Sequence, residues 1–331
     1  MIPTGGSSGR LKFARHDQDT VEAAVGGFVR HFGLKRVNAV GMLPLHHVSG
    51  LMAWLRSVLT GGDHIEVDWK AVEAGAVPTL PARAQGWVIS LVPTQLERLM
   101  RHRAATEWLA QFRILFLGGA PATAGLLDRA AAAGMRVSTG YGMTETLAMA
   151  AALRPEEFLA GVRSCGTALP HARVAVSAEG MISVGGDSLF RGYFPAWREA
   201  GDFGTADLGC LDERGHLHVR GRADAVIITG GEKVHPAEVE AVLRDTGACA
   251  EIVVVGVPDE EWGQAVVAAY PAKQEFDPAK VEGAAGRGLS PWKRPKRYIP
   301  LAEWPLNDAG KVNRARVQEL VAIHAAGLGG K

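Results

Sequence analysis

Several short segments of this chain gather glycine with hydroxyl, carboxylate and cationic side chains, and their order is as informative as their content. The first is Thr4-Gly5-Gly6-Ser7-Ser8-Gly9-Arg10-Leu11-Lys12. Residues without bulky side chains let backbone N–H groups turn inward around phosphate oxygens, Ser and Thr hydroxyls add donors, and Lys12 supplies positive charge. The segment is not a Walker A loop, because no Ser or Thr follows the lysine, and it is not G-x-G-x-x-G. A Gly/Ser-rich start equally suits a flexible tail, and only Met1 to Pro3 stand before it as a possible strand.

The second is Ser138-Thr139-Gly140-Tyr141-Gly142-Met143-Thr144-Glu145-Thr146. Gly140 and Gly142 flank an aromatic ring and permit close backbone approach to a flat ligand, while Thr144 offers a hydroxyl and Glu145 a carboxylate. That combination suits a nucleotide with its metal; a tight turn capping a helix through Thr144 is the alternative. Further on, Phe203 to Gly209 carries Asp207, and Gly221-Arg222-Ala223-Asp224 follows. An Asp at the end of a turn can accept both hydroxyls of a ribose, and an Arg can hold phosphate or ribose. Asx turns and surface ion pairs are the bland reading. In Pro305 to Arg314, Lys311 follows Gly310 just before a helical stretch, where a lysine can equally be merely solvated.

These residues need a scaffold, and the patterning supplies one. Up to about residue 171 short apolar runs (Val37 to Leu43, Trp87 to Val92, Ile114 to Leu117) alternate with helical periodicity at Thr20 to Phe32, Gly50 to Leu59, Pro93 to Arg101 and Thr123 to Ala133. The pattern predicts an α/β fold, a mainly parallel sheet with flanking helices, whose ligands lie beyond the carboxyl ends of strands, where Gly118 to Pro121 fall. Residues 172–224 read as a small β-rich subdomain of short strands and glycine turns. Residues 225–331 read as a mobile α+β C-terminal domain, with helices at Pro236 to Asp245, Pro278 to Arg287 and Asn313 to Ala325.

Bulk properties narrow the class. The 331 residues, 47% hydrophobic and 21% charged, allow about two or three domains with ordinary cores. A net charge of +1 argues against a dedicated nucleic-acid binder. Cys165, Cys210 and Cys249 are far apart and form no CxxC pair, which suits a reducing cytoplasm and excludes a cysteine zinc site. No signal peptide or membrane-spanning apolar run is evident. The basic run Gly288 to Arg297 reads as a solvated turn, with contact to an anionic cofactor as the alternative.

Taken together, the segments resemble the adenylate-forming superfamily of acyl- and aryl-CoA ligases, luciferases and peptide-synthetase adenylation domains. The resemblance runs from Thr4 to about residue 320. Thr4 to Lys12 is similar to the family's T-S-G-S-T-G-x-P-K loop, with Gly5, Ser8 and Leu11 in place of Ser, Thr and Pro. Pro44 to Gly50 is similar to P-L-F-H-x-x-G, Tyr141 to Glu145 to Y-G-x-T-E, and Thr205-Ala206-Asp207 to T-G-D. Gly221 to Glu240 is similar to the hinge region and Leu289 to Arg314 to the closing stretch with its lysine.

The resemblance implies ATP, Mg²⁺ and coenzyme A as ligands of a small carboxylic acid's ligase. It places Thr4, Gly5, Gly6, Ser7, Ser8, Gly9 and Lys12 at the β/γ-phosphates, Thr144 at phosphate and Glu145 at Mg²⁺. Gly119, Ala120, Pro121, Tyr141 and Gly142 fall on the nucleotide, and Asp207 and Arg222 on its ribose side. His47, Gly140, Gly118 and Ser164 face the acid, and Lys311 bridges carboxylate and α-phosphate. Asp224 is the hinge, and Gly230 and Gly231 line a thiol channel. The spelling of Pro3 to Gly9, Thr139 to Thr146 and Arg163-Ser164-Cys165-Gly166 is most like 2-succinylbenzoate–CoA ligases of menaquinone and phylloquinone synthesis. Another aryl- or fatty acyl-CoA ligase stays open. So does an inactive relic that only binds nucleotide, because the family's N-terminal part before the phosphate loop is lacking here. Its lack is expected to expose apolar surface, to be covered by a homo-oligomer or a partner.

Overall fold

Hydrophobic alternation along the strands determines which layer each helix joins. The computed structural model describes residues 1–5, 11–80, 86–306 and 312–328. They form two compact units, the first running to Thr205 and taking up Gly209–Val219, the second holding Ala206–Leu208 and the chain from Arg220.

The first unit opens on an antiparallel hairpin, β1 (Ile2–Gly5) and β2 (Leu11–Ala14). Helix α1 (Gln18–Phe32) starts where Asp17 and Thr20 cap each other reciprocally and stops at Gly33, whose φ of 60° lies in the left-handed region. Then come β3 (Asn38–Gly41), α2 (Val48–Leu59), β4 (His64–Glu66), α3 (Trp69–Glu73) and β5 (Trp87–Leu91). Helices α4 (Pro93–Leu99) and α5 (Arg103–Leu109) lead to β6 (Ile114–Leu117), α6 (Ala124–Ala132) and β7 (Val137–Tyr141). The strands pair in parallel in the order β4-β3-β5-β6-β7, and β8 (Ala151–Ala152) and β9 (Thr167–Ala168), which flank α7 (Pro155–Leu159), continue the sheet antiparallel.

Strand β6 shows how the sequence sorts the layers. Ile114 and Phe116 pack with Phe28 and Phe32 of α1 and Ala53 of α2, while Leu115 and Leu117 pack with Leu96, Leu99, Leu109 and Leu126 on the other face. Each such buried side chain contributes about 1.5–3 kcal/mol. Both faces are therefore dry, which leaves the carboxyl edge of the sheet for chemistry.

A meander of β10 (Ala172–Val176), β11 (Met181–Gly186), β12 (Phe203–Leu211) and β13 (Leu217–Arg222) follows in sequential order. Asp207 thus lies inside a strand and not at the end of a turn. The glycines and polar residues of 203–209 obscure the strand, but Thr205 is accommodated because its hydroxyl donates to the Ile182 carbonyl at 2.8 Å.

In the second unit β14 (Ile227–Thr229) and β15 (Glu232–Val234) form a hairpin. Helix α8 (Pro236–Arg244) precedes β16 (Val253–Asp259) and β17 (Gly263–Pro271); α9 (Pro278–Gly288) precedes β18 (Arg297–Leu301) and α10 (Arg314–Leu328). The sheet order is β16-β17-β18, with α8 and α9 on one face, and Val317 and Val321 of α10 packed on the other. Among the described residues no helix is long and apolar enough to cross a membrane.

Candidate active site

The stems of the phosphate-type loop are strands. Thr4 stands opposite Lys12 and Gly5 opposite Leu11; Gly6, Ser7, Ser8 and Gly9 lie outside the described residues. Ile2 is buried against Val25, Met52 and Leu147. At the end of the second stem Ala14 bridges to Tyr193, and just past it the Arg15 N–H donates to the Gly192 carbonyl at 2.9 Å and the Arg191 N–H donates to the Arg15 carbonyl at 2.8 Å. The expectation of a flexible tail fails for the stems, because burial and a main-chain ladder hold both. Lys12 is exposed, with its ammonium 5.0 Å from the Tyr193 ring centroid.

Strand β7 ends on the Tyr141–Glu145 segment. A side chain at Gly142 would collide with the Ala148 carbonyl, so the turn closes only with glycine there. Thr144 does not cap a helix; the Met143 N–H instead donates to Thr146 Oγ1 at 3.0 Å. Leu147 (φ 52°) and Ala148 (φ 80°) follow Glu145 in the left-handed region, a strain of about 1–3 kcal/mol each. Burial of Leu147 and the Ala150 N–H bond to Tyr141 O at 2.8 Å hold that conformation.

The strained turn sets the Glu145 carboxylate, which is 6% exposed. The Tyr193 hydroxyl donates to Oε1 at 2.5 Å, and the Phe190 N–H donates to the Glu145 carbonyl at 2.8 Å. Burial and the Glu145 carboxylate both push the Tyr193 phenol above its usual range. His16 Nε2 lies 2.9 Å from the Thr144 carbonyl. Burial pushes this imidazole down to about 4, so it is neutral and its Nε2–H donates to that carbonyl.

Beyond the carboxyl end of β6, the Gly118 N–H donates to Leu91 O at 3.3 Å and Gly119 adopts φ 83°, leaving Ala120 and Pro121 exposed. The parallel register Leu117↔Thr139 sets Gly118 beside Gly140. Thr139 Oγ1 donates to the Ser164 carbonyl at 2.6 Å, and Ser164 Oγ accepts from the Gly166 N–H at 3.1 Å. Gly118, Gly140 and Ser164 are therefore gathered at one edge. His47 stands at the N-cap position of α2, its side chain making no cap bond and its ring 4.2 Å from that of His46, beyond β3 and two strands from β6.

In the second unit the Arg222 fork grips Asp224, with Nε–Oδ1 at 2.8 Å and Nη2–Oδ2 at 2.7 Å, and its Nη1 lies 3.6 Å from Asp207 Oδ1. One guanidinium thus joins the ribose candidate to the hinge candidate. Gly230 (φ 57°) and Gly231 (φ 82°) form the β14–β15 turn; a side chain at Gly230 would strike the Trp262 ring, whereas Gly231 has open space. Lys311 lies outside the described residues, although its flanks pair through Leu306 and Val312.

Sequence reasoning missed Tyr193, His16 and Glu240. The first two sit in short polar stretches, Arg191-Gly192-Tyr193 and Ala14-Arg15-His16, whose significance comes only from long-range pairing. Glu240 is 2% exposed and receives Arg244 at 2.8 Å, Arg314 at 2.6 Å and the Val254 N–H at 2.8 Å. An acid on the buried face of α8 was its only signal.

Among the described residues no group of three or more His, Cys, Asp or Glu is placed to hold a metal. A lone buried carboxylate with one oxygen hydrogen-bonded does fit Mg²⁺, which takes one or two carboxylates together with substrate phosphates and water.

A family model described as AMP-binding enzyme matches residues 1–194, and one for the AMP-binding enzyme C-terminal domain matches 238–311. The 2-succinylbenzoate–CoA ligase of Listeria monocytogenes is 32% identical over 290 residues, 84% of this chain and 60% of that protein. Its namesake in Listeria innocua is 30% identical, over 96% of this chain and 69% of that protein. The chain spans about 60% of the length of the first of these relatives. Among solved structures, o-succinylbenzoate CoA synthetase from Bacillus subtilis with its acyl-adenylate intermediate has a TM-score of 0.83 at 27% identity, covering 96% of this chain and 68% of that one. ATP-bound MatB from Rhodopseudomonas palustris has a TM-score of 0.80 at 28% identity, covering 97% and 67%.

Proposed function

The chain belongs to the AMP-binding enzyme family, and on that premise we propose that it is an ATP-dependent acid–CoA ligase acting on 2-succinylbenzoate. The observation that carries this reading is the buried Glu145 carboxylate, set by a strained turn at the carboxyl edge of a parallel sheet and joined through Tyr193 to the lysine of the phosphate hairpin. The named acid is supported by relatives called 2-succinylbenzoate–CoA ligase and by a similar structure that holds the OSB-AMP acyl-adenylate.

In the proposed reaction a carboxylate oxygen of the acid attacks the α-phosphorus of ATP, and pyrophosphate leaves. The CoA thiolate then attacks the acyl carbon, and AMP leaves. Two anions must first be brought together, so fixed cations and N–H donors carry the first step. Thr4 and Lys12 stand at the β/γ-phosphates, and Lys311 neutralises the attacking carboxylate and α-phosphate. Glu145 would hold Mg²⁺, which when bound would supply charge neutralisation on the phosphates. Asp207 accepts the ribose hydroxyls, and Gly118, Gly140, Ser164 and His47 line the acid. Residues 225–331 move about Asp224 between the half-reactions, with Gly231, in the left-handed region at φ 82° and with open space beside it, on the thiol path.

Three reduced cysteines support a cytoplasmic setting, and exposed Trp54, Val58 and Leu59 along α2 support a second copy or partner over that face. The test is incubation with ATP, Mg²⁺, CoA and a panel of succinyl-aryl, aryl and fatty acids, with thioesters read by mass spectrometry. 2-Succinylbenzoyl-CoA is expected as the dominant product. Preference for another acid would replace the substrate, and no thioester from any acid would overturn the ligase reading.

A further inference from the structure

Tyr193 touches both sides of the candidate site at once. Its hydroxyl donates to Glu145 Oε1 at 2.5 Å, and its ring face carries the Lys12 ammonium 5.0 Å from the centroid. The side chain is itself held in place. Its ring packs edge-on to buried Phe190 at 4.8 Å, its backbone bridges Ala14, and the adjoining Gly192 and Arg191 exchange main-chain bonds with Arg15. The same strip reaches Glu145 again through the Phe190 N–H. Within the strip, Arg191 Nε donates to Asp17 Oδ2 at 2.7 Å, fixing it to the cap of α1.

We propose that Tyr193 is a positioning residue that sets the Glu145 carboxylate for a divalent cation and seats Lys12 for the phosphates of the same ligand. This rests on the ligase reading for its ligand. A carboxylate on a strained turn has two oxygens and a free torsion. Committing Oε1 to a phenol removes the rotation and leaves Oε2 to face a cation, the role of an outer hydrogen bond at a metal site. The aromatic face below the ammonium lowers the freedom of a long, exposed side chain without neutralising it. One ring therefore couples hairpin to turn.

The test uses the intact chain and two variants. Tyr193→Phe keeps the ring and loses the hydroxyl, and Tyr193→Leu loses both. ATP affinity is measured calorimetrically with and without Mg²⁺, and adenylation rate is measured against Mg²⁺ concentration. For Tyr193→Phe the Mg²⁺ enhancement of ATP affinity and the half-saturating Mg²⁺ are expected to worsen about tenfold, with the loss in half-saturation exceeding that in maximal rate. Tyr193→Leu is expected to weaken ATP further even without Mg²⁺. In a Glu145→Gln background, Tyr193→Phe is expected to add nothing. Unchanged Mg²⁺ dependence in Tyr193→Phe, or an equal effect in the Glu145→Gln background, overturns the proposal. If the parent chain binds Mg²⁺ and ATP but ligates no acid, the ligase reading falls and the binding arm still decides the role of Tyr193.

Discussion

Glu240 offers a prediction whose size follows from its surroundings. Its carboxylate is 2% exposed and satisfies Arg244, Arg314 and the Val254 N–H together. Glu240→Gln keeps the shape and one acceptor but strips the charge from between two guanidiniums. Breaking a buried ion pair from one side costs about 3–5 kcal/mol. Here the arginine side chains are 21% and 39% exposed and can recover some hydration, which lowers the expected loss to about 2–3 kcal/mol. For a unit of this size that corresponds to a fall of about 8–15 °C in the melting of the second unit. Arg314→Met is expected to cost less, because Arg244 still balances the acid. Arg314 also bonds the Val254 carbonyl at 3.3 Å and lies three positions after Lys311, so Glu240→Gln is expected to slow adenylation more than thioester formation. Urea and thermal unfolding of the intact variants, with both half-reactions assayed, test this. A stability change under about 0.5 kcal/mol would mean that the arginines need no buried counter-charge.

Burial pushes both His16 and His171 down to about 4, while the unfolded imidazole protonates near pH 6.5. The unfolded chain then binds more protons between about pH 6.5 and 4, so stability is expected to fall as pH drops through that window, by about 2–3 kcal/mol per histidine. Urea midpoints across that range, with His171→Gln removing part of the slope, check the sign. Arg56 is 4% exposed on α2, 3.9 Å over the Phe28 ring, and burial pushes its guanidinium down to about 9; Arg56→Met is expected to stabilise by about 1–3 kcal/mol in thermal melts, and destabilisation would show that the cation–π contact dominates. Lys311→Ala is expected to abolish adenylation while thioester formation from preformed acyl-adenylate persists, and equal loss of both would remove its assigned role. Gly231→Leu is expected to do the reverse, with unchanged CoA transfer counting against the thiol path.

The parallel sheet was legible because its strands are apolar runs of the right length between periodic helices; Ile114–Leu117 was read to the residue. The turn at Tyr141–Glu145 was legible because glycine, hydroxyl and carboxylate are adjacent in sequence. What escaped reading depends on partners far along the chain. The strand through Asp207 is disguised by glycine and polar residues that its neighbours satisfy, and the hairpin strands around the phosphate-type loop are too short to announce themselves. Tyr193 meets Glu145 from 48 positions away, and Glu240 meets Arg314 from 74 positions away. Local pattern reports elements and contiguous motifs; it does not report which isolated polar residue a fold will bring to another.

Formation of an acyl-adenylate by this chain is read out by acid-dependent ATP–pyrophosphate exchange. The purified chain is given ATP, Mg²⁺ and labelled pyrophosphate, without CoA, and exchange is followed with and without 2-succinylbenzoate. Acyl-adenylate formation is expected to give exchange that appears only with the acid and is lost in Glu145→Gln. Exchange absent with every acid, or undiminished in Glu145→Gln, would contradict it.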